Sequence, residues 1–229
     1  MKTKYYILSL LSTIVLPLSA QDKVEATVGA DLVNEYIWRG QDLGNVSLQP
    51  TLGVAWKGLS LSTWGSVGLA NAADDKELDL TLAYSIGGFN IGVTDYWFSK
   101  GSYFQYKDDK TTHTFEANIG YDFGFLSVQW FTNFAGVVGV NEEGKRAYSS
   151  YFELSAPFSL GGLEWKATLG ATPYANDTYK ANGFCVTDVS LRATKDIALK
   201  SAHLPVFVGL TANPRAEKMY LVCGLSFAL

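Results

Sequence analysis

Nine charged side chains recur at alternate positions of strand-like segments, and the chemistry they could perform is the selection of ions. The nine are Arg39, Glu77, Asp79, Glu116, Glu153, Glu164, Lys166, Asp188 and Arg192. Successive side chains of a strand point to opposite faces, so these charges would share the face opposite to the apolar residues between them. We therefore predict that they line the lumen of a barrel, where charges on a low-dielectric wall concentrate counter-ions and set selectivity.

The predicted lining is unbalanced, because six of the nine charges are acidic and three are basic. This excess predicts a weak preference for cations if the lumen is an open pore. The alternative is that the charges pair with one another and fill the lumen. Bulky aromatic residues with the same parity would narrow or plug it further: Trp64, Tyr96, Phe131, Tyr151 and Tyr220. A narrow pore and a sealed barrel are both compatible with the sequence.

Catalysis would require a base beside a nucleophile, and the sequence contains two histidines, His113 and His203. Neither has a serine at a spacing typical of barrel enzymes that act on lipids, so both are interpreted as solvated or interfacial side chains. Cys185 and Cys223 lack the spacing of metal ligands and are expected on strands that are not neighbours. We predict no enzyme, no metal site and no cofactor. A lipid-modifying enzyme assembled across strands is the least favoured alternative.

The first twenty residues have the features of a secretory signal peptide cleaved after Ala20: two lysines, then the apolar run Tyr5–Leu16, then small residues. Residues 21–229 would form one barrel domain. Without the signal peptide the chain has 16 basic and 22 acidic side chains, a net charge of −6. An acidic exported protein without a basic cluster is not expected to bind nucleic acid.

Alternation of apolar and polar residues is the dominant pattern of the remaining chain. It is clearest in 77–86, where Leu78, Leu80 and Leu82 are separated by Asp79 and Thr81. A period of two predicts a strand with one apolar face. Twelve such segments are predicted: 24–38, 48–56, 59–69, 77–86, 89–98, 114–121, 126–134, 148–156, 163–169, 188–193, 206–210 and 219–229.

Connection lengths support a membrane barrel. Short turns such as 57–58 and 87–88 follow even-numbered segments, and longer loops mostly follow odd-numbered ones. Two connections break this pattern, because Lys195–Leu204 is long and Asn213–Glu217 is short. An even strand count with short turns on one rim is typical of outer-membrane proteins. We predict an all-β fold: a transmembrane, antiparallel, up-and-down β-barrel of about 12 strands.

Aromatic residues at predicted strand ends distinguish this barrel from a secreted sandwich, which also alternates. They are Tyr36, Trp38, Trp56, Trp97, Tyr121 and Tyr148, and we interpret them as a belt at the lipid interface. The last segment, Met219–Leu229, is apolar at every odd position and resembles the closing strand of bacterial outer-membrane proteins. We therefore expect outer-membrane lipid to surround the barrel.

The segment Tyr36-Ile37-Trp38-Arg39-Gly40, followed by Leu48-Gln49-Pro50 and by 58–66 with its Trp64-Gly65-Ser66, resembles the start of the TorF-like family of porins. This resemblance covers about forty residues. It implies an outer-membrane barrel of Gram-negative bacteria with a role in passive transport, and it supplies no catalytic residues.

The function predicted from the sequence is a porin-like channel for passive diffusion of ions or small polar solutes. The alternative is a sealed structural or adhesion barrel that acts through its loops, which contain Tyr103, Phe104, Tyr106, Tyr174 and Tyr179. The sequence defines neither the solute nor the oligomeric state.

Overall fold

The computed structural model describes residues 23–228, except 72, 73, 75, 108, 109, 142 and 200–202. The predicted signal peptide lies outside the described residues. Within them, no helix is long and apolar enough to cross a membrane. The strands are β1 Glu25–Val33, β2 Tyr36–Trp38, β3 Gln41–Gly44, β4 Ser47–Trp56, β5 Leu59–Gly68, β6 Glu77–Ile86, β7 Phe89–Phe98, β8 His113–Asp122, β9 Ser127–Gly136, β10 Ser150–Leu160, β11 Leu163–Thr172, β12 Cys185–Ala198, β13 His203–Asn213 and β14 Lys218–Ala228.

Twelve of these strands form one closed antiparallel barrel. From β4 to β14 each strand pairs with the next along the chain, and β1 completes the wall between β4 and β14. The predicted all-β, up-and-down barrel of about 12 strands is confirmed. We call the rim that carries the connections 69–76, 99–112, 137–149 and 173–184 the loop side, and the opposite rim the turn side.

The two faces of the wall differ in polarity as the alternation predicts. On β6, Leu82 and Ile86 expose more than half of their surface, whereas Glu77 and Asp79 on the other face are buried. The same contrast recurs around the wall, with Leu61, Ile119 and Leu221 among the exposed apolar side chains. A barrel in lipid needs an apolar outer face and closed backbone pairing, and this wall provides both.

The first predicted strand is too long. β1 ends at Val33, and Tyr36–Trp38 pairs instead with Gln41–Gly44 in a small separate hairpin. Its tip, Arg39-Gly40, has positive φ at both residues, 49° and 77°. This is the backbone of a two-residue type I′ turn, which suits the twist of a hairpin. We call residues 36–44 the inner hairpin.

The predicted connection Lys195–Leu204 is also wrong, because most of it is strand. β12 continues to Ala198 and β13 begins at His203, so only residues 199–202 lie between them. This turn side connection is therefore short, like the others on that rim. Residues 214–217, between β13 and β14, remain a short connection on the loop side.

Among the described residues, the seam between the first and last barrel strands has the shortest run of paired residues in the wall. Gly29–Val33 of β1 pairs with Gly224–Ala228 of β14, which gives five pairs, whereas β1 forms nine pairs with β4. Asn34 continues the seam past the end of β1. Its backbone N–H donates to the Cys223 carbonyl at 3.0 Å and its side-chain amide to the Leu221 carbonyl at 2.9 Å.

Candidate functional site

The inner hairpin lies inside the barrel at its loop side. The Asn213 side-chain amide, at the end of β13, donates to the Gly40 carbonyl at 2.8 Å. A side chain on Gly40 would overlap the Thr187 carbonyl oxygen of β12, so the tip lies directly against the wall. Because the hairpin starts from the β1–β4 region of the wall and its Arg39 side chain reaches Glu116 of β8 on the far side, it crosses the lumen.

The Arg39 guanidinium at the hairpin tip binds Glu116 of β8 in a bidentate ion pair. Nη1 and Nη2 donate to the two carboxylate oxygens at 2.7 and 2.8 Å, and both side chains are buried. Tyr96 of β7 donates its hydroxyl to Glu116 Oε1 at 2.9 Å, which fixes the carboxylate. Such pairs combine charge with planar geometry. Burial disfavours the cation, but the charge and hydrogen bonds of Glu116 together with the Tyr179 and Tyr96 hydroxyls favour it more, so the pKa of Arg39 is raised well above its usual value.

Aromatic rings enclose the same guanidinium. Its central carbon lies 4.1 Å from the Phe131 ring centroid, 4.6 Å from that of Tyr151 and 4.5 Å from that of Trp38. Phe131 and Tyr151 belong to β9 and β10, whereas Trp38 belongs to the hairpin itself. Cations are attracted to the faces of aromatic rings, and the attraction is strongest where water is excluded.

The 173–184 loop supplies a further wall of this site through Tyr179. Arg39 Nη1 donates to the Tyr179 hydroxyl at 2.6 Å, and the Tyr179 ring stacks on Trp38 and Tyr151 at centroid distances of 6.0 and 5.5 Å. The backbone N–H of Tyr179 donates to Asn176 Oδ1 at 3.0 Å, which holds the loop in a turn. Burial raises the pKa of Tyr179, so its hydroxyl stays neutral. Two loop-side segments, the inner hairpin and this loop, therefore meet in the lumen.

The first residue of the hairpin anchors its other end. The Tyr36 hydroxyl donates to Glu77 Oε2 at 2.9 Å, and its ring lies 5.4 Å from that of Trp64 on β5. Burial, followed by the charge of Glu77, raises the pKa of Tyr36 well above its usual value. Tyr36 and Trp38 were predicted in the interfacial belt, and this is wrong for both, because they lie inside the barrel and contact its inner wall.

The predicted lining residues occupy different surroundings. Glu77, Asp79, Glu116 and Asp188 are buried on the wall, and Arg39 reaches the lumen from the hairpin and not from a wall strand. Glu153 and Lys166 are 4.0 Å apart and partly exposed, and Arg192 stacks on the inward Phe207 at 3.4 Å. Glu164 lies near the β10–β11 turn, where it is exposed and accepts a hydrogen bond from Ser159 at 2.6 Å. Sequence reasoning omitted Asp31, which pairs in register with Gln49 and Ser226.

The interpretation of His113 as a solvated or interfacial side chain is wrong. The residue is completely buried under the 99–112 loop, and its ring stacks on Tyr106 at 4.3 Å. Nδ1 lies 2.7 Å from Asp95 Oδ1 and Nε2 lies 2.6 Å from the Tyr103 carbonyl oxygen. Both ring nitrogens thus contact acceptors, and neither contacts a nucleophile. Patterns within single strands did not identify Asp95 as the partner of His113, because Asp95 lies on the neighbouring strand β7.

The remaining candidates for chemistry are dispersed. His203 is exposed and lies 2.7 Å from Asp196, which is also exposed. Cys185 and Cys223 are free thiols. Among the described residues, no three His, Cys, Asp or Glu side chains come together in a way that could hold a metal ion. The densest set of functional side chains in the described barrel is therefore the cluster around Arg39.

Comparison with known proteins gives a family and distant structural likenesses. Residues 19–218 match the model of Gcw_chp, described as a bacterial protein of unknown function. This model is not specific to the TorF-like group that the Tyr36–Gly40 segment resembles. The chain has no match among curated proteins.

Three solved structures illustrate the structural likeness. An OmpF complex with daunomycin from Salmonella typhi is 9% identical, with 91% of this chain and 98% of that chain covered and a TM-score of 0.40. An outer membrane channel from Pseudomonas putida is 13% identical, with coverages of 94% and 99% and a TM-score of 0.41. A porin is 14% identical, with coverages of 92% and 79% and a TM-score of 0.36.

Proposed function

The chain belongs to the Gcw_chp family of bacterial proteins, whose function is unknown, and we propose that it is an outer-membrane, porin-like channel that its inner hairpin closes. The channel would pass ions or small polar solutes by passive diffusion. Export through a signal peptide cleaved after Ala20 is part of this proposal, and residues 21–229 form the barrel in the membrane. The observation that carries it is the contrast between a polar lumen and an obstruction that side-chain hydrogen bonds hold against the wall.

Accessibility along β5 and β6 decreases toward the loop side, and Asn90, Gln129 and Ser226, near the turn side of other strands, are also buried. On β5, Ser62 is half-buried, whereas Ser66, nearer the loop side, is 2% exposed. On β6, Thr81 is half-buried and Asp79, again nearer the loop side, is 2% exposed. The buried positions of β5 and β6 lie at the level of the inner hairpin, which contacts Glu77 through Tyr36. Withdrawal of the hairpin would expose this part of the wall.

Charge in the barrel supports a preference for cations. The acidic side chains assigned to the lumen are Asp31, Glu77, Asp79, Glu116, Glu153 and Asp188, and the basic ones are Arg39, Lys166 and Arg192. Arg39 leaves the lumen when the hairpin does, so the open channel would be more negative than the closed one. Negative charge on a narrow low-dielectric wall attracts cations.

The test is planar-bilayer conductance of residues 21–229, comparing wild type with a variant in which residues 36–45 are replaced by a short Gly-Ser linker. We expect wild-type channels to be mostly closed, and we expect the hairpin-free variant to show stepwise conductance with cation preference. Shortening the 139–146 loop, whose Glu143 and Lys145 are exposed, is the matched control and should leave the wild-type record unchanged.

Ion selectivity is best tested at Glu153 in the hairpin-free background. Its side chain is 12% exposed and lies 4.0 Å from Lys166 Nζ, so Glu153→Gln changes the charge at an accessible point of the lumen. The reversal potential should then move toward anions. Glu116→Gln is a poor probe in wild type, because it also removes the partner of Arg39.

The second candidate is a sealed barrel that acts through its loops, and the filled loop-side lumen favours it. Tyr151 is 0% exposed and Tyr179 is 4% exposed. Folded, membrane-inserted barrels that stay silent without the hairpin would contradict the channel and support this alternative. A lipid-modifying enzyme is the third and least supported class, because His113 contacts no nucleophile.

A further inference from the structure

The Arg39 guanidinium occupies a pocket whose walls belong to other parts of the chain. Glu116 comes from β8, Phe131 from β9, Tyr151 from β10 and Tyr179 from the 173–184 loop. These side chains supply a carboxylate, two ring faces and a hydroxyl acceptor. The pocket is thus built by the wall and the loop, and the hairpin contributes its occupant together with one additional ring, Trp38.

The chemistry of the pocket suits a planar, delocalised cation. The two Glu116 oxygens accept two parallel hydrogen bonds at 2.7 and 2.8 Å, a geometry that a guanidinium matches and an ammonium does not. Phe131 and Tyr151 lie within 4.6 Å of the cation, as stacking on a flat guanidinium requires. The Tyr96 hydroxyl holds the carboxylate in the receiving orientation.

The pocket needs a cation when the hairpin withdraws. Glu116 is 3% exposed with the hairpin in place, and its carboxylate on a low-dielectric wall attracts a cation once Arg39 leaves. No covalent bond joins Arg39 to the pocket, and the hairpin is held against the wall through side-chain contacts, such as those from Tyr36 to Glu77 and from Asn213 to Gly40. A cation that enters the lumen can therefore replace Arg39 in the same contacts.

We propose that the lumen contains a guanidinium-binding site, which Arg39 fills when the inner hairpin is in place and which a guanidinium-bearing solute fills when the hairpin is displaced. Arg39 is then a built-in competitor of the solute. The route by which a solute arrives rests on the proposed channel function, but the site itself does not. Small solutes that carry a guanidinium are the chemical class that this site selects.

The experiment is thermal unfolding of detergent-refolded Arg39→Ala with methylguanidinium or methylammonium at equal concentration. We expect methylguanidinium to raise the midpoint in a saturable manner, with an affinity at least about tenfold higher than that of methylammonium, because only the former makes the bidentate pair. Wild type should show no shift at the same concentrations, because Arg39 occupies the site.

Two further variants control for non-specific effects. Arg39→Ala combined with Glu116→Gln should lose the response, because the carboxylate is gone. Arg146→Ala removes an exposed loop arginine that bonds the Phe134 carbonyl and lies 5.9 Å from the Tyr148 ring. It should behave like wild type. A response of equal size in the Arg146→Ala variant would show that methylguanidinium acts on the whole protein and would overturn the proposal.

Folding of Arg39→Ala is checked by its heat-dependent mobility in SDS gels. If the variant refolds poorly, the readout becomes refolding yield, and rescue by methylguanidinium above methylammonium supports the site. Equal effects of the two cations, on midpoint or yield, overturn it. If Arg39→Ala binds methylguanidinium but hairpin-free barrels do not conduct, the guanidinium site is supported and the channel function is contradicted. If hairpin-free barrels conduct but Arg39→Ala does not bind methylguanidinium, the channel function is supported and the site is contradicted.

Discussion

Two adjacent residues, Arg39 and Gly40, meet two separate requirements of the inner hairpin. Arg39 supplies the charge that pairs with Glu116, and Gly40 allows the backbone to lie against Thr187. Both take positive φ, which costs little at glycine and is uncommon at other residues. The Arg-Gly pair thus determines both the turn at the hairpin tip and the contacts of the tip with the barrel wall.

Replacement of Gly40 by alanine should release the hairpin tip. The new side chain would overlap the Thr187 carbonyl, and φ at this position is +77°, so we expect a loss of about 1 to 3 kcal/mol in the docked state. In bilayers the variant should open more often than wild type. Gly44→Ala is the matched control, because a Cβ there would meet only ordinary contacts with Asp74 at 3.7 Å or more. Equal behaviour of the two variants would contradict the docking described.

Alternation identified buried aromatic residues on the wall, but it did not identify the hairpin. Tyr96, Phe131 and Tyr151 were predicted inward from alternation alone, and all three are buried. The partners of Arg39 lie 77 and 140 positions away in the chain, so local patterns could not pair them. The available signal was the Arg-Gly dipeptide between aromatic residues and Gln41, which fits a two-residue hairpin.

At the scale of elements, the 99–112 loop is held on the barrel by His113. The imidazole joins Asp95 of β7 to the Tyr103 carbonyl, and Tyr103 also contacts Trp97 with ring centroids 5.4 Å apart. The sequence analysis placed Tyr103 and Tyr106 in a loop, and no local pattern there indicates packing. Its conformation depends instead on a partly buried His–Asp pair formed across two strands.

We expect His113→Leu to loosen this loop without opening the barrel. Leucine fills part of the space but leaves Asp95 and the Tyr103 carbonyl without their shared partner. Trypsin should then cut at Lys107 or Lys110 several times faster than in wild type, as followed by mass spectrometry of the folded protein. His203→Leu provides a matched control, because His203 pairs with Asp196 at the same 2.7 Å but on the exposed surface. Unchanged cleavage in His113→Leu would contradict this role.

The barrel architecture was the feature most predictable from the sequence. A period of two repeated over twelve segments determines which face of each strand is apolar, and closure follows because the barrel pairs every strand edge. The inner hairpin and the extended β12 were not predictable in this way. The first leaves the wall, and the second has charged residues, Lys195 and Asp196, where the alternation becomes polar.

A membrane location makes the cost of a charge on the outer face depend on its depth. Leu82 lies near the middle of β6 and Ile86 at its turn-side end, on the same face and with exposures of 53% and 54%. In lipid vesicles, Leu82→Arg should destabilise the folded barrel by about 2 to 4 kcal/mol and Ile86→Arg by about 1 kcal/mol or less. Reversible urea unfolding measures both. Equal, small losses would indicate that water surrounds this face.

The short seam between β1 and β14 has a consequence for assembly. Its two strands are the most distant in sequence, and it holds five register pairs, prolonged by Asn34. Contacts between distant segments form late in folding, because the intervening chain must first be ordered. We expect this seam to close last during insertion and to part first under force. The inner hairpin begins two residues after Asn34, so closure of this seam would also be the step that brings the hairpin into its place.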